Sequence, residues 1–287
     1  MIWQTSRFNI DLSRPQVMGI VNVTPDSFSD GGRHAGAGSA LAHCEQLIRD
    51  GADILDIGGE SSRPGAPPLP LEEELARVVP VVREAVKLGA PVSVDTYKPG
   101  LMQAVLDLGA DIINDIWALR QPGALQVIAG HAACGVCLMH MHREPQTMQA
   151  KPMEGDVLPQ VLEFLARRTS ALLAEGVNRN RIVWDAGTGF GKTVAQNFAL
   201  LARQAELLQA GYPVLAGWSR KSSLGAVTGL EVQDRLAPSI AAALLAVQRG
   251  ASIVRVHDVK ETVGVLKVLQ AAVTAQTVQA ASQTIQP

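Results

Sequence analysis

Polar residues with the chemistry of a binding or catalytic site follow several short apolar segments of the chain. They are Asn22, Asp56, Asp95, Asn114, Asp185, Arg255 and His257. Carboxylates and amides bind polar heterocycles through hydrogen bonds, whereas arginine and histidine bind anions. Brought together, these side chains would form one site for a polar ligand that carries an anionic group. Taken singly, each of them could also do no more than end a strand or cap the next helix.

Two motifs, WSRKSS and RVHD, are rich in side chains that bind anions. The first supplies Ser219, Lys221 and Ser222, and the second supplies Arg255 and His257. Because Arg255 and His257 are two positions apart, they lie on the same face of a strand. A helix is predicted directly after them, and its N-terminus would add partial positive charge. The motifs predict a phosphate or diphosphate site, with an ordinary surface position as the alternative for Lys221.

The sequence DAGTGFGKT at 185–193 looks like a phosphate-binding P-loop. That motif requires a glycine five residues before Gly191, where this chain has Ala186. A P-loop nucleotide hydrolase is therefore a weak alternative. The glycines instead favour tight turns or a close approach of the backbone to a ligand. The carboxylate of Asp185 can accept two parallel hydrogen bonds from the ring N–H and amino group of a flat heterocycle.

A cysteine- and histidine-containing segment offers a possible metal site at Cys134, Cys137, His140 and His142. The spacing does not match a tight zinc arrangement, so buried thiols are the preferred interpretation. Met139, at the end of the same apolar segment, is predicted to line an apolar slot.

A repeating unit predicts the elements that position these residues. A helical stretch ends at a glycine, an apolar run follows, and a polar residue ends the unit, as in GADILD, GADIIN and GASIVR. Such apolar runs are typical of parallel strands that are buried on both faces. Strands are predicted at 17–22, 53–57, 91–95, 111–114, 135–139, 181–185, 213–217 and 252–257. Helices are predicted at 38–50, 72–88, 98–108, 123–131, 156–175, 194–210, 234–249 and 259–275.

Eight such units predict an α/β fold, a (β/α)8 TIM barrel formed as a single domain over residues 1–287. The tail from about 276 to 287 is expected to be frayed, and a doubly wound open sheet is the alternative fold. Chemistry in TIM barrels takes place at the C-terminal ends of the strands, where the polar residues above fall. The long loops NVTPDSFSDGG and GGESSRPG are predicted to cover that end.

The composition narrows the class of protein. Hydrophobic residues make up 47% of the chain and charged residues 18%, with 25 basic and 27 acidic side chains and a net charge of −2. This balance indicates a globular protein, and without a basic excess we expect no nucleic-acid partner. We expect no membrane span, because no apolar run is long enough. The three cysteines do not suggest a disulfide framework, and the N-terminus lacks a signal-peptide pattern, so we expect a cytoplasmic protein.

Taken in order, the motifs resemble those of the dihydropteroate synthases, pterin-binding enzymes of folate biosynthesis. They are GIVNVTPDSFSDGG at 19–32, GADILDIGGESSRPGA at 51–66, SVDTYKP at 93–99, INDI at 113–116, LMHM at 138–141, GFGKT at 189–193, SRKS at 219–222 and RVHDV at 255–259. The resemblance implies a (β/α)8 barrel, usually a homodimer, that requires Mg²⁺ and is a target of sulfonamides. The implied reaction transfers the pterin methylene of 6-hydroxymethyl-7,8-dihydropterin diphosphate to 4-aminobenzoate and gives 7,8-dihydropteroate and diphosphate.

The resemblance also implies a role for each matching residue. Asn22 matches the Mg²⁺-contacting asparagine, and Arg255 and His257 match residues that bind the diphosphate. The polar residues of the pterin pocket would be Asp95, Asn114, Asp185 and Lys221, with Met139 and Phe190 as its apolar walls. The aminobenzoate and anion region would contain Ser62, Arg63, Pro64, Ser219 and Ser222. The catalytic candidates are Arg255, His257, Lys221 and Asp95.

Three departures from the family pattern remove none of these ligands. Ser62 stands where threonine is usual, Ala186 replaces the usual proline after Asp185, and His142-Arg143 replaces the usual Gln-Gly. A non-catalytic or altered-function pterin-binding paralogue is one alternative. A pterin-dependent methyltransferase on the same barrel is the other, although it would not need the anion motifs.

Overall fold

The computed structural model describes residues 1–23, 32–61 and 65–283. An antiparallel hairpin, β1 (Ile2–Gln4) and β2 (Asn9–Asp11), precedes the eight parallel strands of a closed barrel. The barrel strands are β3 (Gln16–Asn22), β4 (Ile54–Gly58), β5 (Val92–Asp95), β6 (Ile112–Asp115), β7 (Gly135–Met139), β8 (Ile182–Asp185), β9 (Val214–Ala216) and β10 (Ile253–Val256). Strand β10 pairs with β3, which closes the barrel and excludes the open doubly wound sheet.

Helices lie between the barrel strands and after the last of them, as the repeating unit predicts. They are α1 (Gly32–Arg49), α2 (Leu71–Ala85), α3 (Pro99–Asp107), α4 (Ala124–Gly130), α5 (Val157–Ala174), α6 (Val194–Ala202), α7 (Gln204–Leu207), α8 (Ser222–Thr228), α9 (Leu236–Gln248) and α10 (Val259–Gln283). Within the described part of the chain, no helix combines the length and apolar character needed to cross a membrane.

Alternation along the strands separates two apolar layers. One layer fills the space between the strands and the helices. The other fills the N-terminal end of the barrel interior and consists of Met18, Ile54, Ile112, Cys137, Val183, Leu215 and Ile253. The strands therefore have one apolar end, and their polar C-terminal residues meet at the other.

The N-terminal hairpin closes the apolar end of the barrel. Trp3, Ile10 and Leu12 are buried against the interior layer, and the Trp3 indole donates a hydrogen bond to the carbonyl oxygen of Arg181 at 2.9 Å. This arrangement leaves the opposite end as the mouth of the barrel.

The predicted and observed elements differ in four places. The hairpin and helix α8 were not predicted, and the helix predicted at 194–210 is interrupted at Arg203 between α6 and α7. The last helix continues to Gln283 instead of ending at 275, so most of the tail expected to fray is helical. The two loops predicted to cover the barrel mouth contain residues 24–31 and 62–64, which lie outside the described residues.

Candidate active site

The barrel register brings the predicted polar residues to one rim. Asn22 of β3 pairs with Gly58 of β4, Gly58 pairs with Asp95 of β5, and Asp95 pairs with Asn114 of β6. These positions form a continuous row across four neighbouring strands. Asn22 is exposed in this row, whereas Asn114 is buried.

Arg255 is the centre of an ion-pair network inside the mouth. Its Nε lies 2.6 Å from Asp56 Oδ2, and its Nη2 lies 2.7 Å from Asp95 Oδ2. Asp56 is fully buried and also accepts hydrogen bonds from Ser93 Oγ at 2.6 Å and from Asn114 Nδ2 at 3.2 Å. The guanidinium is therefore fixed in one orientation, as planar, charge-assisted contacts require.

Burial sets the electrostatics of this network. It raises the pKa of Asp95 to about 7, because the cost of desolvation and the charge of Asp56 outweigh the opposing charge of Arg255. Burial alone would lower the pKa of Arg255, but Asp56 and Asp95 raise it, so the guanidinium keeps its charge. The site thus holds a permanent cation beside a carboxyl group that titrates near neutrality.

Asp185 ends β8 and is 8% exposed. Its Oδ1 accepts the backbone N–H of Gly187 at 2.7 Å. Burial raises the pKa of its carboxyl group, while the Gly187 hydrogen bond and the charge of Lys221 oppose that rise. Each carboxylate oxygen has two lone-pair directions, so the bond to Gly187 leaves acceptor capacity for a ligand.

The glycines of the GTGFGK loop permit close contact with the β7 loop. Gly187 and Gly191 have φ values of +68° and +71°. A Cβ atom on Gly187 would lie 1.8 Å from the His140 carbonyl oxygen, and one on Gly191 would lie 2.6 Å from the His142 Cβ. Larger residues would separate the two loops, so these glycines serve backbone packing.

Lys192 does not act as a P-loop lysine in this arrangement. It is 2% exposed, and its Nζ donates to the carbonyl oxygens of Gly187 at 2.8 Å and Phe190 at 3.2 Å. It also lies 3.0 Å from His140 Nδ1. The sequence did not predict this role, because the GFGKT motif does not indicate that its lysine is buried. The weak P-loop alternative is wrong, since the ammonium group is used to hold the loop.

A buried apolar cluster, which we call the apolar slot, lies beside Asp185. Met139 pairs with Asp185 across β7 and β8, and it packs in a buried cluster with Ile116, Met141, Met148 and Phe190. Lys221 Nζ lies 4.4 Å from the centre of the Phe190 ring.

The slot can hold a flat ring against the carboxylate of Asp185. The ammonium group of Lys221 lies over the Phe190 ring, at a distance that allows a cation–π interaction. Burial and the neighbouring Arg255 lower the pKa of Lys221 to about 8.

His257 and Ser219 form the other predicted anion contact. The Ser219 hydroxyl lies 2.9 Å from His257 Nδ1 and accepts the backbone N–H of His257 at 3.2 Å. Burial and the charges of Arg220 and Arg255 lower the pKa of His257 to about 4. The imidazole is therefore neutral near pH 7, and helix α10 begins two residues later. Ser222, the first residue of α8, is exposed.

The remaining predicted residues lie apart from this network or outside the described part. Ser62, Arg63 and Pro64 fall within residues 62–64 and are not described. Cys134 contacts the Arg181 guanidinium at 3.1 Å, whereas Cys137 is part of the apolar barrel interior. Among the described residues, no group of three or more histidine, cysteine, aspartate or glutamate side chains is arranged to hold a metal ion.

Ser93 and Lys192 were not predicted as site residues, and Asp56 was named among the strand-end residues without a role of its own. Asp56 was identified as a strand end, but its pairing with Arg255 spans 199 positions and is visible only once the barrel closes. Ser93 gives a usable signal, because it lies two positions before Asp95 and so shares its face of the strand.

Comparisons with known proteins show what this chain is similar to. The family model described as "Pterin binding enzyme" matches residues 18–257. A dihydropteroate synthase of Neisseria meningitidis serogroup B is 50% identical over 276 residues, which cover 94% of this chain and 97% of the relative.

Two solved structures are also similar. The dihydropteroate synthase of Burkholderia cenocepacia complexed with 7,8-dihydropteroate has a TM-score of 0.89 and 51% identity, over 96% of this chain and 98% of the other. The Yersinia pestis dihydropteroate synthase with a sulfonamide drug complex has a TM-score of 0.90 and 44% identity, over 96% and 100%.

Proposed function

The chain belongs to the pterin-binding enzymes, among the dihydropteroate synthases, and on this premise we propose the reaction that its active site performs. It condenses 6-hydroxymethyl-7,8-dihydropterin diphosphate with 4-aminobenzoate and yields 7,8-dihydropteroate and diphosphate, as a transferase of folate biosynthesis. The observation that carries the assignment is the fixed Arg255 guanidinium beside Asp95, in a mouth that also contains Asp185 and the Met139–Phe190 slot. A heterocycle and an anion can bind there side by side.

The reaction breaks one bond and forms another at the same carbon. The bond between the pterin methylene carbon and the diphosphate oxygen breaks, and the oxygen keeps the electron pair. The amine nitrogen of 4-aminobenzoate then bonds to that carbon and loses a proton. Because an aniline-type amine is neutral near pH 7, no strong general base is required.

The cationic, acidic and neutral polar residues of the mouth have different roles in the proposed reaction. Arg255, His257 and the α10 N-terminus bind the diphosphate and stabilise the charge that develops as it leaves. Since its pKa is lowered to about 4, His257 contributes an N–H donor rather than a positive charge. In their ionised forms, Asp95 and Asp185 place negative charge next to a methylene that gains cationic character. Asn114 and Lys221 complete the polar contacts to the pterin.

The remaining site residues are assigned to the second substrate. Ser62, Arg63, Pro64, Ser219 and Ser222 would contact 4-aminobenzoate or the anion, and sulfonamides would compete for the same position. The methyltransferase alternative uses no leaving diphosphate, so it gives no reason for the Ser219–His257 contact.

The donor set of the rim fits Mg²⁺. Asn22 is an exposed residue with an amide side chain, and it lies in the same row of the barrel as Asp95. Mg²⁺ commonly takes one or two protein oxygens and completes its shell with water and substrate phosphates, so a large protein cluster is not needed. Asn22 would hold the ion, which when bound neutralises charge on the diphosphate.

An exposed apolar face supports a homodimer. Val227, Leu230, Val232 and Leu236 lie on or between α8 and α9, and each is at least 38% exposed. A second copy of the chain would cover these side chains, and we place the dimer in the cytoplasm. Sedimentation of the wild type and of Val232→Lys tests the contact, since a monomeric wild type would contradict it.

The central experiment is an assay of the purified protein with dihydropterin diphosphate, 4-aminobenzoate and Mg²⁺. Formation of 7,8-dihydropteroate, followed by chromatography, is expected, and activity should fall when EDTA removes the metal. Binding of the pterin without product formation would favour the non-catalytic paralogue instead.

A further inference from the structure

The side chain of Asn197, in helix α6, forms hydrogen bonds to two neighbouring segments of the active site. Its side chain is 1% exposed, and both ends of its amide group are used. The Oδ1 atom accepts the backbone N–H of Gly189 at 2.9 Å, and the Nδ2 atom donates to Ser223 Oγ at 2.9 Å. The amide therefore connects the loop after β8 with the first turn of α8.

Both residues that Asn197 contacts are close in sequence to residues assigned to the pterin pocket. Gly189 precedes Phe190, and Ser223 lies two residues after Lys221. The Nζ atom of Lys221 lies 4.4 Å from the centre of the Phe190 ring, although the two residues belong to different loops. A planar amide has a fixed separation between its donor and its acceptor, so it sets a distance that an apolar side chain of the same size would not set.

The backbone at this position leaves the loop dependent on such contacts. Gly189 has a φ of +85°, in the region that glycine adopts at little cost. Without Asn197, the backbone N–H of Gly189 would lose its hydrogen-bond acceptor in a part-buried position. Movement of Gly189 would carry the Phe190 ring away from Lys221.

We propose that Asn197 is a positioning residue, whose amide fixes Phe190 and Lys221 relative to each other and so sets the shape of the pterin site at this corner. The inference rests on the proposed function, because that function assigns both side chains to the pterin pocket. Asn197 itself touches neither substrate.

The test compares three variants with a matched control. Asn197→Leu removes both hydrogen bonds at similar volume. Asn197→Asp preserves the bridge, because a carboxylate accepts the Gly189 N–H and the Ser223 hydroxyl can turn to donate. Ser223→Ala removes one half of the bridge. The control is Gln204→Leu, which removes another buried amide that bonds the Ala246 carbonyl oxygen at 2.8 Å, between α7 and α9.

Calorimetry with 6-hydroxymethylpterin, together with melting curves, gives the decisive readout. We expect Asn197→Leu to bind the pterin about tenfold more weakly and Ser223→Ala several-fold more weakly. Asn197→Asp should melt at a lower temperature because it buries a charge, yet bind within about threefold of the wild type. Gln204→Leu should also melt lower but bind as the wild type does. A merely structural role would make affinity follow stability across all four variants.

Three results would overturn the inference. They are unchanged affinity in Asn197→Leu, an equal loss in Gln204→Leu, and no recovery in Asn197→Asp. If Asn197→Leu does not fold, unchanged affinity in Ser223→Ala overturns it in the same way. Failure of the wild type to bind the pterin would contradict the proposed function itself. The three results above would contradict only the role of Asn197, because in each of them the wild type binds.

Discussion

Arg255 and Asp56 form an ion pair inside the barrel, with 2.6 Å between the Arg255 Nε and the Asp56 Oδ2 atoms. Asp56 has no exposed surface, whereas the Arg255 side chain is 21% exposed at the mouth. The buried carboxylate therefore depends on a residue to which the proposed function also assigns the diphosphate. Loss of the arginine would leave an uncompensated charge in the barrel and would also remove that proposed anion contact.

Arg255→Ala should abolish turnover and lower the free energy of unfolding by about 3–5 kcal/mol, because Asp56 loses its counter-ion. Urea unfolding and the synthase assay measure the two effects. The double variant Asp56→Asn/Arg255→Gln should recover much of the stability without recovering activity. An Arg255→Ala protein that turned over normally would remove Arg255 from the catalytic set.

Asp185→Asn should weaken pterin binding by about 10–100-fold, because one carboxylate oxygen becomes an amide donor that faces ligand donors in a buried slot. The bond from the Gly187 N–H to Oδ1 can survive on the remaining oxygen, so the melting temperature should change little. Calorimetry of pterin binding, read beside the melting curve, measures the change. Wild-type affinity in the folded variant would show that Asp185 is not a pterin ligand.

His140 should make the protein less stable in mild acid. Burial and the neighbouring Lys192 lower its pKa to about 2, while the unfolded chain has an ordinary value near 6.5. As the pH falls below about 6.5, the unfolded state takes up a proton that the folded state does not. Between pH 7 and pH 5 the loss from this residue should be about 2 kcal/mol of unfolding free energy.

Urea titrations at both pH values, for the wild type and His140→Gln, isolate the effect of His140. The glutamine oxygen can still accept from Lys192, so the variant should lose about 2 kcal/mol less than the wild type over the same interval. Equal losses in the two proteins would refute the assignment of this dependence to His140.

Arg143 occupies a left-handed backbone position, with a φ of +60°, a conformation that favours glycine. Arg143→Gly should relieve that conformation and stabilise the protein by about 1 kcal/mol. A rise in melting temperature of roughly 2–4 °C is the expected readout. Arg143→Ala is the matched control, since it removes the same exposed side chain but keeps the Cβ, and it should bring no such rise.

Much of the fold followed from the sequence because one unit recurs along the chain. A buried strand that follows a glycine has a strong local pattern, so Asp95, Asn114, Asp185 and Arg255 were placed at strand ends before any contact was known. The pairing of Arg255 with Asp56 could not be predicted in the same way, because local spacing does not say which strands become neighbours across the barrel.

The elements that were missed have weak local patterns. Strands β1 and β2 have only three residues each, too few for a period to show, and α8 has seven. Lys192 and Asn197 are polar residues in segments that read as a loop and an ordinary helix, yet the packing of neighbouring loops buries both. Their roles come from tertiary contacts, which composition and spacing do not encode.

The hairpin at the barrel base also constrains how the chain folds as it is made. Trp3 is synthesised well before its hydrogen-bond acceptor, the Arg181 carbonyl, which is 178 positions later. At typical rates of synthesis, that interval is roughly 10–40 s. Throughout it, a large indole ring has no native pocket to enter. The nascent chain therefore carries an unpacked indole at Trp3 that chaperones can bind, and the barrel base is among the last parts of the molecule to close.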